Sequence, residues 1–173
     1  PRCGTTLSNF EVNQGYKDIK DIAVTFKLPL LDEAGNVTDT SLLVWTTTPW
    51  TLPGNMAAAV HNELDYVKVK VSVDGVVEYY ILAKDRLSQL GEVQSEVVEN
   101  MKGTALVGKS YQSPFNYLQA QDFDKTNVWK IWHADYVEVG TEGTGAVHIA
   151  PAYGDDDMKL AQANNVPIIH HVD

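Results

Sequence analysis

The chain has 173 residues, 44% of them hydrophobic, which is enough for one domain to bury a core without disulfides or a metal. Its 13 basic and 23 acidic residues give a net charge of −10, the wrong sign for a domain that holds nucleic acid through phosphates alone. The sequence has no run of about 18 apolar residues and no signal-peptide pattern, so we expect a soluble, cytoplasmic protein without a membrane span.

Cys3 is the only cysteine, which excludes an internal disulfide and leaves a metal site short of ligands. It lies within Pro1–Gly4, a sequence typical of the second half of a zinc knuckle. A terminal thiol without a role is the simpler interpretation. We therefore expect neither a metal nor another cofactor in this domain.

Alternating apolar positions predict several β-strands. The alternating residues are Ile22, Val24, Phe26 and Leu28 in the first, Val67, Val69, Val71 and Val73 in the second, and Val77, Tyr79 and Ile81 in the third. Pro29 is expected to close the first strand. Asp74 and Gly75 separate the second strand from the third, and this pair predicts a hairpin over about Tyr66 to Ala83.

Asp32–Asn36 predicts an exposed loop, and the apolar run Ser41–Thr46 predicts a buried strand. Lys84–Leu90 predicts a short helix. Asp155–Asn165 predicts another, because acidic residues occupy its first turn and a proline follows its end. No repeat or linker divides the sequence, so we expect residues 1–173 to form a single domain. Many strands with few helices favour a mixed, β-rich α+β fold with a compact β-barrel core and peripheral helices.

Thr46, Thr47 and Thr48 follow one another at the end of the predicted buried strand. Successive strand residues point to opposite faces, so Thr46 and Thr48 would offer two hydroxyls on one face. Threonine is also a common strand residue, and the triplet alone leaves a structural role open. Two prolines and a glycine in Pro49–Asn55 predict a rigid loop, in which Trp50 either fills the core or forms one wall of a small-ligand pocket.

A second stretch combines the turn Gly143–Gly145 with His148 and three aspartates at the start of the last predicted helix. A histidine between two apolar residues is usually a core or edge residue. Acidic residues at a helix start normally cap the helix and offset its dipole. Capping explains one or two of the residues Asp155, Asp156 and Asp157 better than all three.

The stretches Trp45–Asn55 and Gly143–Asp157 resemble the two halves of the editing pocket in isoleucyl-tRNA synthetases, which lies in the inserted CP1 domain of these class I enzymes. Valyl and leucyl relatives typically have arginine where this chain has Thr48 and an acidic residue where it has Trp50. His148 stands where the valyl type tends to have lysine and the leucyl type methionine. The resemblance covers most of the chain and favours the isoleucyl type.

This resemblance implies an aminoacyl-tRNA deacylase, excised from a larger synthetase, that hydrolyses wrongly formed Val-tRNA(Ile) and excludes isoleucine by pocket size. One methylene changes binding by only about 1–3 kcal/mol, a limit for which isoleucyl-tRNA synthetase is itself the standard example, so the synthetic site cannot fully reject valine. The implied partners are the 3′ aminoacylated end of tRNA(Ile), its valine moiety and the rest of the synthetase chain. Signatures of the synthetic site are absent from the sequence, so we expect no amino acid activation.

The resemblance also implies the site residues. The catalytic candidates are Thr46, Thr47, Thr48 and Asp157, and the substrate-binding candidates are Thr46, Thr48, Trp50, His148 and Asp157. Asp157 would bind the substrate ammonium, two threonines would position the ester and the terminal adenosine, and Trp50 and His148 would form the wall that excludes isoleucine. Water would be the nucleophile, because no serine or cysteine has a convincing base partner.

Two alternatives remain open. A non-catalytic module that docks the aminoacylated acceptor end of tRNA would bind without turnover, and another α-amino ester hydrolase on the same barrel would act without RNA. The joint presence of threonines, histidine and aspartate favours the editing hydrolase. The acidic charge fits a tRNA substrate if other parts of the parent enzyme make most of the phosphate contacts.

Overall fold

The computed structural model describes residue 8 and residues 22–73, 75–116, 118–140 and 142–170, so Cys3 lies outside the described residues. The described strands are β1 (Val24–Leu31), β2 (Val37–Thr46), β3 (Ala57–Val60), β4 (Asp65–Val73), β5 (Val76–Ala83), β6 (Ser95–Lys102), β7 (Ile131–His133) and β8 (Ala146–Ile149). The described helices are three 3₁₀ helices, Pro49–Gly54, Lys84–Leu90 and Gly103–Ala105, and one α-helix, α1 (Asp155–Ala163).

Strand β2 is the centre of the sheet, because three strands pair with it. β1 runs antiparallel along it, from Val24 opposite Thr46 to Leu31 opposite Val37. On its other side, β5 pairs in parallel with the middle of β2, and β8 pairs in parallel with its end. The order β6-β4-β5-β2-β8-β3-β7 gives a mixed sheet that curls into a half-barrel with few helices. This architecture confirms the predicted fold class.

The core lies where the central strands bring their apolar side chains together. The largest cluster of fully buried side chains includes Leu28, Leu42, Val44, Val60, Leu106 and Ile131. Burying each such side chain contributes about 1.5–3 kcal/mol. Two buried tyrosines add hydrogen bonds, since the Tyr66 hydroxyl donates to the Gly145 carbonyl (2.6 Å) and the Tyr111 hydroxyl donates to Asn55 Oδ1 (2.7 Å). Burial raises the pKa of Tyr66 to about 12.

The predicted hairpin is confirmed, with Tyr66 of β4 opposite Ala83 of β5 and Gly75 at a φ of +81° in the turn. One strand boundary is wrong: Pro29 lies inside β1, which continues to Leu31. The pairing with β2 shifts register between Pro29 and Leu31. A strand can pass a proline at such an irregularity, because the missing amide hydrogen interrupts the ladder only locally.

The other predicted elements are present with small changes at their ends. The buried strand Ser41–Thr46 is the second part of β2, and the loop Asp32–Asn36 closes the turn between β1 and β2. Lys84–Leu90 forms a 3₁₀ helix. The last helix ends at Ala163, earlier than the predicted Asn165.

Replacing Gly145 with alanine tests how tightly the turn before β8 packs. A Cβ at Gly145 would lie 2.4 Å from the Cβ of Ala83, and the φ of +79° adds backbone strain. The matched control is Gly108→Ala, since Gly108 has a φ of +86° with nothing within 4 Å of the added Cβ. We expect Gly145→Ala to lower the free energy of unfolding in urea by about 1–3 kcal/mol more than the control. Equal losses would show that this contact is not tight.

Candidate functional site

The threonine-rich segment turns from the end of β2 into the 3₁₀ helix Pro49–Gly54. The Thr48 amide donates to Thr46 Oγ1 (3.0 Å), and the Thr51 amide donates to the Thr48 carbonyl (3.0 Å). Pro49 occupies the first helical position, where no amide hydrogen is needed. The segment is therefore fixed by local hydrogen bonds at the point where it leaves the sheet.

A row of hydroxyl groups connects this segment to His148 on β8. Thr46 Oγ1 lies 3.3 Å from Thr48 Oγ1, which lies 3.3 Å from Thr51 Oγ1. Thr51 Oγ1 lies 2.9 Å from His148 Nε2 and donates to the Thr48 carbonyl (2.8 Å). The two segments meet because β2 and β8 pair in parallel, with Trp45 opposite Val147.

His148 is buried and neutral near pH 7, because burial lowers its pKa to about 4. Thr51 Oγ1 carries one proton, and the Thr48 carbonyl at 2.8 Å can only accept a hydrogen bond. When the hydroxyl donates to this carbonyl, the contact with His148 requires the tautomer that has its proton on Nε2. This tautomer leaves a lone pair on Nδ1, which is buried and has no hydrogen-bond partner among the described residues. With Nε2 protonated, His148 forms a wall of the site and has no free base directed at Thr51.

Asp157 lies in the first turn of α1 and is half-buried. Its Oδ2 accepts a hydrogen bond from the Ala150 amide (2.7 Å). Burial raises the pKa of Asp157, and the charge of Asp156 acts in the same direction, while the Ala150 amide opposes both. Asp155 and Asp156 are surface residues instead, and both pair with Lys159, at 2.7 Å and 3.2 Å.

The candidate residues line one cavity of about 390 Å³. Its lining residues are Trp45, Thr46, Thr47, Thr48, Trp50, Thr51, Val147, His148, Ala150, Tyr153, Gly154 and Asp157. Trp50 is 63% exposed, which excludes the core-filling role and places its ring at the rim. The cavity thus combines hydroxyl groups, a neutral imidazole and a half-buried carboxylate.

A second cavity of about 360 Å³ adjoins the first, since Trp45 and Val147 line both. The turn Gly143–Gly145 forms part of its wall, and Arg86 holds this turn by donating from Nε to the Gly143 carbonyl (3.0 Å). Tyr136 also lines it. Burial raises the pKa of Tyr136, and the nearby charge of Asp157 raises it further.

No protein-family model matches the chain. Isoleucine–tRNA ligase 2 of Bacillus cereus is 42% identical over 173 residues, which cover 100% of this chain and 15% of that protein. Isoleucine–tRNA ligase of Chlamydia caviae is 44% identical over 174 residues, 99% of this chain and 16% of that protein. The chain belongs to the isoleucyl-tRNA synthetase family. It spans about 15% of the length of these curated relatives.

Solved editing domains of leucyl-tRNA synthetases share the fold of this isoleucyl-tRNA synthetase segment. The crystal structure of GlLeuRS-CP1 has a TM-score of 0.61 at 14% identity and covers 85% of this chain and 66% of its own. The P. knowlesi cytosolic leucyl-tRNA synthetase editing domain has a TM-score of 0.61 at 16% identity, covering 82% and 62%. These likenesses show the fold, and the sequence relatives confirm the expected family.

Thr51 and Tyr153 are lining residues that the sequence did not single out. A signal for Thr51 was available, because a 3₁₀ helix brings residues three apart onto one side, and Thr51 follows Thr48 at that spacing. Tyr153 had no such signal.

In the described part of this isoleucyl-tRNA synthetase segment, no helix is long and apolar enough to cross a membrane. The same residues contain no group of three or more potential metal ligands arranged around one point.

The buried, neutral His148 predicts a dependence of stability on pH. Its folded pKa of about 4 lies below the ordinary value of 6.5, so the unfolded chain binds the additional proton between these two values. Stability should therefore fall as the pH drops from 6.5 to 4, by up to about 3 kcal/mol, and should not change on this account above pH 6.5.

The measurement compares urea unfolding of the wild type and His148→Gln from pH 4 to 7. Asp157 has the opposite effect on the pH dependence of stability, because a raised carboxyl pKa makes the folded state gain stability as the pH falls. Both proteins retain Asp157, so its contribution is the same in the two curves. The difference between the two curves isolates the histidine. Parallel curves would show that His148 titrates normally and is not buried as a neutral ring.

Proposed function

We propose that this segment hydrolyses the ester of Val-tRNA(Ile) and excludes the isoleucyl ester. The observation that carries the proposal is the half-buried Asp157 carboxylate in the same cavity as the hydroxyl groups of Thr46 and Thr48. An aminoacyl ester presents an ammonium group beside a carbonyl and a ribose, so it needs one anionic contact and several hydrogen-bonding groups. The homology to isoleucyl-tRNA synthetases supports this substrate.

Asp157 is suited to bind the substrate ammonium. The Ala150 amide fixes Oδ2, and a carboxylate accepts hydrogen bonds through both of its oxygens. Partial burial strengthens a charge-assisted contact, because less water competes for the carboxylate. Burial also raises the pKa of Asp157, so the ammonium ion would restore the charged form that burial disfavours.

Hydrolysis then requires a positioned water molecule. Its oxygen forms a bond to the ester carbon, the bond from that carbon to the ribose oxygen breaks, and the ribose oxygen takes up a proton that the water releases. The Thr46 and Thr48 hydroxyls can rotate to donate to the oxygen that becomes negative. His148 Nε2 is already directed at Thr51, so positioning rather than a histidine base would drive the reaction. The ester and water suffice chemically, and we propose no cofactor.

The stiffness of the His148 wall would provide the size discrimination. The ring is held by Thr51 at 2.9 Å and packs edge-on against Phe26, with ring centroids 6.4 Å apart. A wall held on two sides cannot move away from an additional methylene without breaking one of these contacts. One methylene is worth about 1–3 kcal/mol in such a pocket, which is the basis of size exclusion.

The second cavity provides space for the terminal nucleoside. Its volume of about 360 Å³ is within the range of small-molecule pockets, and it opens beside Trp45 at the edge of the first cavity. The net charge of −10 implies that the rest of the synthetase makes most phosphate contacts with tRNA. We therefore propose three partners: the 3′ aminoacylated end of tRNA(Ile), its valine moiety and the remaining synthetase chain. We place this function in the cytoplasm.

Replacing Asp157 with asparagine tests the ammonium contact. Asparagine keeps an oxygen for the Ala150 amide but removes the charge. The control is Asp156→Asn, on the same helix but paired with Lys159 at the surface. We expect hydrolysis of Val-tRNA(Ile) to fall by about 10- to 100-fold in Asp157→Asn and to stay within twofold in the control.

Deacylation is measured by release of labelled valine, with circular dichroism to confirm folding. Unchanged hydrolysis in Asp157→Asn would remove Asp157 from the site. Tight binding of Val-tRNA(Ile) by the wild type without any release of valine would instead favour a module that only docks the acceptor end.

Replacing His148 with alanine tests the size exclusion. We expect the preference for valyl over isoleucyl ester, measured as the ratio of kcat/KM, to fall by about tenfold or more as the cavity deepens. Thr51→Val keeps the side-chain shape but removes the hydrogen bond to His148, so it should relax the preference by a smaller factor. If Ile-tRNA(Ile) stays protected in both variants while Val-tRNA(Ile) is still cleaved, His148 is not the excluding wall.

A further inference from the structure

Two large aromatic side chains stand at the mouth of the first cavity without being buried. Trp50 is 63% exposed and Tyr153 is 40% exposed, and both line the cavity that contains Asp157. Large exposed aromatic rings beside a cleft mark a binding surface more often than they serve the fold, because exposing them gives up hydrophobic stabilisation.

Both rings are carried by short, fixed turns. Trp50 lies in the 3₁₀ helix Pro49–Gly54, which contains two prolines and is closed at its end by the hydrogen bond from the Asn55 amide to the Leu52 carbonyl (3.0 Å). The Tyr153 amide donates to the Ala150 carbonyl (2.9 Å) in the turn before α1. Rings on rigid turns lose little conformational freedom when a flat partner binds to them.

The chemistry of this mouth favours bases over phosphates. Among the described residues, no lysine or arginine lines the cavity, and the chain has a net charge of −10. If the terminal nucleotide is bound inside, the nucleotides that precede it must leave through the mouth. They would meet aromatic faces without cations, and an unpaired base stacks on such a face whatever its sequence.

We propose that Trp50 and Tyr153 form a stacking platform for the unpaired bases that precede the terminal nucleotide of the RNA. This inference rests on the proposed function, because it needs the terminal nucleotide in the cavity. It assigns to Tyr153 a binding role outside the ester-hydrolysing residues. It also gives Trp50 an outward-facing role in addition to any contact with the amino acid. The platform strengthens binding through base stacking with little dependence on salt.

The experiment compares two non-hydrolysable probes by calorimetry: a valyl-adenosine analogue, and the same analogue extended by two unpaired 5′ nucleotides. In the wild type, we expect the extension to increase affinity by at least about tenfold. Tyr153→Ala and Trp50→Ala should each lose most of this increase, while Tyr153→Phe, which keeps the ring, should retain it. Phe115→Ala is the control, since Phe115 is 39% exposed but does not line the cavity.

The salt dependence of this affinity increase distinguishes base stacking from phosphate binding. The increase should persist between about 50 and 200 mM salt, because stacking on aromatic rings releases few counterions. An increase that disappears with added salt, that survives in both alanine variants, or that is absent in the wild type would overturn the platform. The last two results would also fit rings that contact another part of the synthetase.

The shorter probe tests the proposed function separately. Its binding should be weakened in Asp157→Asn and should be within twofold of wild type in Phe115→Ala, which lies outside the cavity lining. If the valyl-adenosine analogue binds but the extension does not increase its affinity, the proposed stacking platform is wrong and the proposed editing site is supported. If the analogue itself does not bind the wild-type chain, the proposed function fails and the platform fails with it.

Discussion

The parallel pairing of β2 with β8 is the constraint on which the site depends. Trp45 lies opposite Val147, so the carboxyl ends of both strands lie at the same end of the sheet. β2 continues into the threonine-rich turn, and β8 places His148 within hydrogen-bonding distance of Thr51. Because this pairing joins segments about a hundred residues apart, the site exists only when the whole sheet has formed.

The surrounding structure holds both segments in place. Beyond the 3₁₀ helix, the buried Asn55 accepts from the Tyr111 hydroxyl (2.7 Å) and donates to the Ala57 carbonyl (2.9 Å). On the other side, Tyr66 and Arg86 bind carbonyl groups of the glycine turn that precedes β8. The loops that line the cavities are thus attached to the core at both ends, which is the preorganisation that positioning a water molecule and an ester requires.

The electrostatics of the cavity suit a small cationic ester better than a polyanion. Burial keeps His148 neutral near pH 7 and raises the pKa of Asp157, and among the described residues Asp157 is the only carboxylate that lines this cavity. A single carboxylate among hydroxyl groups can select an ammonium group without repelling the neutral remainder of an amino acid. The same arrangement gives RNA little phosphate attraction, which makes the aromatic rim the main contact left for it.

The amino-acid pattern predicted the family and the strands β1, β2, β4 and β5, but not the strands β3, β6, β7 and β8. A period of two residues fixed the strands and the hairpin from Tyr66 to Ala83, because alternation directly reflects which face of a strand is buried. The spacing of the threonines, His148 and Asp157 identified the candidate residues through their resemblance to a known family. Pro29 was misjudged as the end of β1, because a proline excludes only one backbone hydrogen bond and the pairing shifts register to accommodate it.

How these residues face one another depends on the tertiary structure. The hydrogen bond from His148 to Thr51, the exposure of Trp50 and the position of Tyr153 at the mouth follow from contacts between distant segments. Periodicity reports which face of an element is buried, but not which element covers it. The sequence could therefore identify the candidate side chains of the site. The pairing of β2 with β8 and the start of α1 determine the distances between these side chains, their burial and their protonation.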